Sequence, residues 1–124
     1  MKRITMTVTT AADGTVIADS PVRVSGKIHQ IEYVKDGSNG FASGVDFTIT
    51  GKKTGINLWT QSDVNASAVV APRQPTHSQA GVAALFAAGG TAVQDRVALA
   101  NDQVRIAIAQ GGNAKVGAFH ILVD

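Results

Sequence analysis

Alternation of apolar and polar residues marks several segments of the chain. In residues 3–10, the side chains of Ile4, Met6 and Val8 alternate with those of threonines. A period of two places successive side chains on opposite faces of a β-strand, so this segment predicts a strand with one buried face and one hydroxyl-lined face. The same period recurs in residues 45–51, 55–61, 103–110 and 118–124.

Turn signals separate these segments at short intervals. Asp13-Gly14 accepts the positive φ of a tight hairpin turn, and glycine-rich stretches occupy residues 51–55 and 111–117. Residues 15–37 predict two further strands, broken near Ser20-Pro21. About eight short strands with such turns predict an all-β fold, an antiparallel β-sandwich or jelly-roll-like domain. The length of 124 residues fits one domain, residues 1–124.

Residues 62–94 interrupt this pattern and predict a long excursion from the β domain. In residues 62–90 only Asp63 and Arg73 carry a formal charge, and eight alanines offer little bulk for a core. Pro72 and Pro75 donate no backbone hydrogen bond and favour extended chain before them. The excursion therefore has two interpretations, an arm that lies on a neighbouring subunit or an internal crossover between two sheets.

The second half of the excursion holds the one helix candidate. In residues 78–90, Ser78 is a suitable N-cap, alanine is the best helix former, and Gly89-Gly90 would end a helix. Val82, Leu85 and Phe86 stand at i, i+3 and i+4, which gives a short helix one apolar stripe.

Seven residues in or beside the excursion are candidates for an interface. Trp59, the only tryptophan, ends a predicted strand at the mouth of the arm, and packing in a core or an interface is favoured there over stacking on a sugar. The candidates are Trp59, Val69, Val70, Pro72, Arg73, Pro75 and His77.

Composition and motifs limit the function classes. The charged fraction of 16% is below the roughly 25% typical of soluble domains, as in a protein that neighbours cover in part. The net charge of +2 is scattered and forms no basic stripe, so no nucleic-acid partner is predicted. The first residues do not resemble a signal peptide, and no apolar run is long enough to span a membrane. A soluble protein made in the cytoplasm is expected.

Residues that could carry catalysis are isolated along the chain. The histidines His29, His77 and His120 lack metal-binding spacing, cysteine is absent, and the single carboxylates form no readable pair. Neither a G-x-S-x-G elbow nor a phosphate-binding loop occurs. The sequence therefore predicts no catalytic, cofactor or metal site, and a protein that is not an enzyme.

Four stretches taken together resemble a group of small proteins encoded among the head genes of tailed bacteriophages and prophages. They are residues 4–16 (ITMTVTTAADGTV), 44–51 (GVDFTITG), 58–77 (LWTQSDVNASAVVAPRQPTH) and 104–124 (VRIAIAQGGNAKVGAFHILVD). The resemblance implies a virion structural protein but no residue roles.

The function expected from this resemblance is capsid decoration, or cementing of the shell. The implied partners are the major capsid protein and copies of the chain itself, and the implied location is the virion, after synthesis in the host cytoplasm. Two alternatives remain, a head-to-tail connector or neck component, and a carbohydrate-binding β-sandwich module that uses Trp59.

Overall fold

The chain folds into eleven β-strands and no helix, in a computed structural model that describes residues 1–124. The strands are β1 (Lys2–Thr9), β2 (Val16–Asp19), β3 (Val24–Lys35), β4 (Val45–Gly51), β5 (Asn57–Val64), β6 (Ala68–Val70), β7 (Arg73–Pro75), β8 (Gln94–Arg96), β9 (Ala98–Asp102), β10 (Val104–Ala109) and β11 (Val116–Val123).

Nine of the strands form two antiparallel sheets that face each other. The first sheet has the order β1-β11-β3-β6, and β9 pairs with the first residues of β3, ahead of the part that pairs with β6. The second sheet has the order β2-β10-β4-β5. Strands β7 and β8 pair only with each other in a third, two-stranded sheet. The two larger sheets form the sandwich, called the body below.

The core lies between the two large sheets and is built by the period of two seen in the sequence. In β11 every second side chain is buried, and its neighbours β1 and β3 supply Ile4 and Ile31 in register with Ile121. Aromatic rings fill the centre, where Phe47 meets Tyr33, Trp59 and Phe119 edge-on at centroid distances of 4.7, 5.6 and 5.1 Å. Such edge-to-face pairs add to the stabilisation from burial.

Two glycines permit close approaches that any side chain would prevent. A Cβ on Gly117 of β11 would collide with the ring of Phe41, which stacks on Tyr33 with a centroid distance of 5.9 Å. Gly26 has φ of +127° at the point where β3 bends, and a Cβ there would strike the carbonyl oxygen of Asp124. The register of the β3–β9 pair shifts at this glycine, as in a β-bulge.

The all-β sandwich expected from the alternating pattern is confirmed. The helix considered for residues 78–90 is absent, since that stretch contains turns and isolated β-bridges. Gly81 and Gly89 adopt φ of +79° and +70°, values at which an α-helix cannot continue. The structure contains no helix that is long and apolar enough to cross a bilayer.

Candidate functional site

The excursion divides into a part that belongs to the body and a part that leaves it. Residues 62–64 complete β5, and residues 68–70 form β6, whose Val70 and Ala68 pair with Ile31 and Tyr33 of β3. Chain that leaves the body begins with β7 and returns with β8. Residues 73–96 are called the arm below.

A short ladder forms the base of the arm. Arg73, Gln74 and Pro75 of β7 pair with Arg96, Asp95 and Gln94 of β8. Pro75 lies in the ladder although it has no amide hydrogen to donate. The next amide, that of Thr76, makes the hydrogen bond to the opposite strand, donating to the carbonyl of Val93 at 2.8 Å. The prolines thus fit extended chain, as their fixed φ predicts.

Beyond this ladder the arm branches through a ring of three backbone hydrogen bonds. Thr76 donates to Val93 at 2.8 Å, Val93 donates to Ala84 at 2.8 Å, and Ala84 donates to Thr76 at 3.0 Å. Each of the three segments therefore donates a hydrogen bond to one of the other two and accepts a hydrogen bond from the other. Since no side-chain core supports this end of the arm, these backbone bonds define its shape.

Two tight turns extend from the branch point. In the first, Ser78 and Val82 close a turn in which Gly81 has a positive φ. In the second, Phe86 donates to the carbonyl of Thr91 at 3.0 Å around Gly89. The spacing of Val82, Leu85 and Phe86 suggests a helical stripe in the sequence. In the structure, Val82 instead closes the first turn and Phe86 closes the second.

The outer part of the arm is exposed and uncharged. All fifteen residues from 77 to 91 are exposed, and none of the residues from 74 to 94 carries a formal charge. Three large apolar side chains are among them, with 65% of Val82, 45% of Leu85 and 74% of Phe86 accessible. Exposed large apolar side chains that lie close together along the chain are candidates for an interaction site.

Charged side chains fasten the base of the arm to the body. Lys27 of β3 forms an ion pair with Asp95 at 3.3 Å. Arg96 donates from Nη1 to Asp124 Oδ2 at 3.1 Å and to His29 Nδ1 at 2.9 Å. Donation from the backbone amide of Arg96, followed by the Lys27 ammonium, holds the pKa of Asp95 below its ordinary value.

The candidate interface residues occupy three different environments. Trp59 is 6% exposed, packs against Phe47 and donates from Nε1 to Gln61 Oε1 at 2.9 Å, so its ring is not available to a sugar. Val69 is 56% exposed at the edge of the first sheet. The others follow the chain from β6 into the arm, with Val70 and Pro72 half-buried and Arg73, Pro75 and His77 exposed.

An open cleft lies beside the base of the arm, where β1 and β3 begin and β11 ends. Its volume is about 240 Å³, and buried side chains of Ile4, Val24 and Val123 form its apolar part. The carboxylate of Asp124 belongs both to this cleft and to the ion pair with Arg96. The remaining lining residues are Met1, Lys2, Arg23 and Ser25.

The ionisable side chains serve local structure. His29, His77 and His120 lie in β3, the arm and β11, and His120 Nδ1 is 3.0 Å from Thr5 Oγ1. Burial raises the pKa of Asp102, but hydrogen bonds from backbone amides, including that of Lys53, outweigh it and keep this pKa below its ordinary value. The His120 contact joins β11 to β1, and the Asp102 contacts hold the turn that contains Lys53.

Comparison with known proteins carries no argument about the fold or the function of this chain. No protein-family model matches the chain, and no curated protein matches it. The crystal structure of FLHE aligns with 97% of this chain and 94% of that chain, at 10% sequence identity and a TM-score of 0.44. At this level of similarity no function passes from that protein to this one.

The sequence predicts the excursion but does not indicate which of its apolar residues are exposed. Val82, Leu85 and Phe86 are the large apolar side chains of the exposed arm, whereas the sequence-based candidates stop at His77. Glycines at 81 and 89 were the available signal, since a glycine inside a helical pattern often marks a turn.

Proposed function

We propose that this protein is a non-enzymatic structural protein of a tailed-phage virion that decorates or cements the capsid shell. The observation that carries the proposal is the arm. A shell is held together by contacts between many copies of few proteins, and an exposed arm with apolar side chains and no formal charge from residue 74 to 94 is suited to reach from one subunit to the next. The resemblance of the sequence to phage head proteins supplies the context.

The second sheet offers a surface for the shell itself. Ile17, Ala107, Thr48 and Thr60 stand in register across all four of its strands, on the face that points away from the core. None of these side chains is charged, and Ile17 is 66% exposed. This row of neutral side chains adjoins the ion pair of Arg105 with Asp19 on the same face. A neutral row can contact another surface without itself desolvating a charge, which supports its use in shell binding.

Binding to purified shells tests the proposal. Shells of the parent phage that lack the protein are mixed with it, and bound copies are counted after sedimentation. We expect saturation at hundreds of copies per shell, as in decoration. Saturation at about a dozen copies or fewer would indicate a neck component, and no binding at all would refute a capsid role.

A pair of variants tests the face that we assign to the shell. Ile17→Asp places a charge on the second sheet and is expected to weaken shell binding at least about tenfold, because the charge would be desolvated in the contact. Val34→Asp is the matched control, since Val34 is 38% exposed on the first sheet, on the opposite side of the body. Equal weakening by both variants would contradict the assignment.

A further inference from the structure

We propose that two copies of this chain exchange arms across a two-fold axis, with the apolar side chains of each arm docked in the cleft of the other copy. This inference deepens the proposed function, on which it rests for the intermolecular use of the arm. It names a second copy of the chain as the arm's partner, and the cleft lined by Ile4, Val24 and Val123 as the acceptor.

The donor side is Phe86 with its neighbours Leu85 and Val82. Phe86 has 74% of its surface accessible, on an arm with no core of its own. Exposed aromatic rings are typical anchors of interfaces, because burying one contributes much free energy. The three-bond ring and the two turns shape the part of the arm that carries Phe86.

The acceptor side is the cleft. The cleft of about 240 Å³ is open and is lined by charged as well as apolar residues, and it has room for a phenyl ring. Ile4, Val24 and Val123 present apolar atoms to it. The cationic side chains Lys2 and Arg23 also line the cleft, and an arm without charge between residues 74 and 94 can enter between them without repulsion.

The position of the cleft favours a reciprocal exchange. Asp124 lines the cleft and pairs with Arg96 at the base of the same chain's arm, so the base of each arm adjoins its own cleft. Two arms laid side by side in opposite directions therefore bring each tip to the base of the other arm. A two-fold axis makes these two contacts identical and closes the assembly as a dimer.

The number of residues involved is adequate for a stable interface. Each copy would contribute the fifteen exposed arm residues 77–91 and the eight residues that line the cleft. Stable interfaces use roughly 20 to 30 residues from each partner. The two adjacent arms carry no formal charge in residues 74–94, so their antiparallel contact places no like charges together.

Disulfide trapping between different chains tests the contact directly, because the chain has no cysteine of its own. Ala87→Cys places a thiol beside Phe86, and Lys2→Cys places one at the cleft. When the two single variants are mixed and oxidised, we expect a covalent heterodimer. A mixture of Ala87→Cys with Ile17→Cys is the control, because Ile17 lies on the second sheet, away from the cleft. Equal heterodimer yields from both mixtures would overturn the proposal.

Sedimentation equilibrium of the purified protein, without shells, tests whether the assembly closes as a dimer and whether Phe86 anchors it. We expect twice the monomer mass, and an increase in the dimer Kd of at least about tenfold for Phe86→Asp but not for Ile17→Asp. A ring, an open chain or a monomer at all concentrations would overturn the exchange. A monomer that still binds shells would leave the decoration role standing, whereas a dimer that binds no shell would refute that role and retain the exchange.

Discussion

Strand β11 and the arm are both joined by backbone hydrogen bonds, yet different forces order them. In β11 alternate side chains enter the core, and strands on both sides complete its ladder. In the arm no residue between 77 and 91 is buried, and order comes from backbone bonds and two glycine turns. Burial supplies most of the stability of a domain, while an exposed hydrogen bond contributes little net free energy. The body is therefore expected to fold without the arm, and the arm to open locally far more readily.

The largest difference between the two regions is expected for aromatic side chains. Phe47→Ala removes a ring that is 1% exposed and should lower the free energy of unfolding by about 3–5 kcal/mol. Phe86→Ala removes a ring that is 74% exposed and should change it by no more than about 0.5 kcal/mol. Urea unfolding of dilute, monomeric protein measures both. Similar losses would mean that Phe86 is part of a core.

The tight packing of the body is tested at its glycines. Gly117→Ala puts a methyl group against the ring of Phe41 and should cost about 1–3 kcal/mol through overpacking. Gly37→Ala is the control, because its Cβ would meet no atom within 4 Å, and it should change stability by about 0.5 kcal/mol or less. Thermal unfolding of both variants measures the difference. A tolerated Gly117→Ala would show that the aromatic cluster can shift.

The body could be predicted from the sequence, whereas the arm could be predicted only in part. The period of two predicts β1, β4, β10 and β11 because one face of each strand is buried, so burial constrains alternate residues. The arm has no buried face. Burial therefore does not determine where its apolar residues stand, and their spacing at i, i+3 and i+4 does not indicate a helix.

Within the candidate site, sequence reasoning found the start of the arm and missed its tip. Pro72 and Pro75 predict extended chain because their φ is fixed, and the chain is extended there. Neither the branch at Thr76 nor the cleft could be read in this way. Both depend on pairings between residues far apart in sequence, such as that of Thr76 with Val93.

Acidic pH should weaken the body through Asp19. In the body, the hydrogen bond from Arg105 Nε at 2.8 Å, supported by Lys52, holds the pKa of Asp19 below its ordinary value of 3.8. Because the folded pKa is depressed, the stabilisation is complete above pH 3.8 and is lost as pH falls through the folded pKa. Residues 74–94 contain no aspartate or glutamate, whereas the pKa of Asp95 at the base of the arm is lowered in the same way as that of Asp19.

The matched variant for this effect is Asp19→Asn. It should lower the free energy of unfolding by about 0.2–1 kcal/mol at neutral pH, the usual value of a partly exposed ion pair. The difference from the unmodified protein should shrink as the pH falls below 3.8. Urea unfolding at several pH values checks it. A difference that stays constant into strong acid would mean that Asp19 acts through shape and not through charge.

The smallest effect on stability is expected from the largest change in sequence. Replacing residues 75–94 by Asn-Gly joins Gln74 to Asp95, which stand opposite each other, through a two-residue hairpin turn. The ion pair of Asp95 with Lys27 is retained, and no buried residue is removed. We therefore expect the free energy of unfolding to change by about 0.5 kcal/mol or less in the monomer, since exposed chain contributes little. Urea unfolding of dilute protein measures this, and a loss of more than about 2 kcal/mol would show that the arm supports the sandwich. Such a loss would restore the interpretation of an internal structural element, whereas an unchanged body leaves the arm free for contacts between molecules.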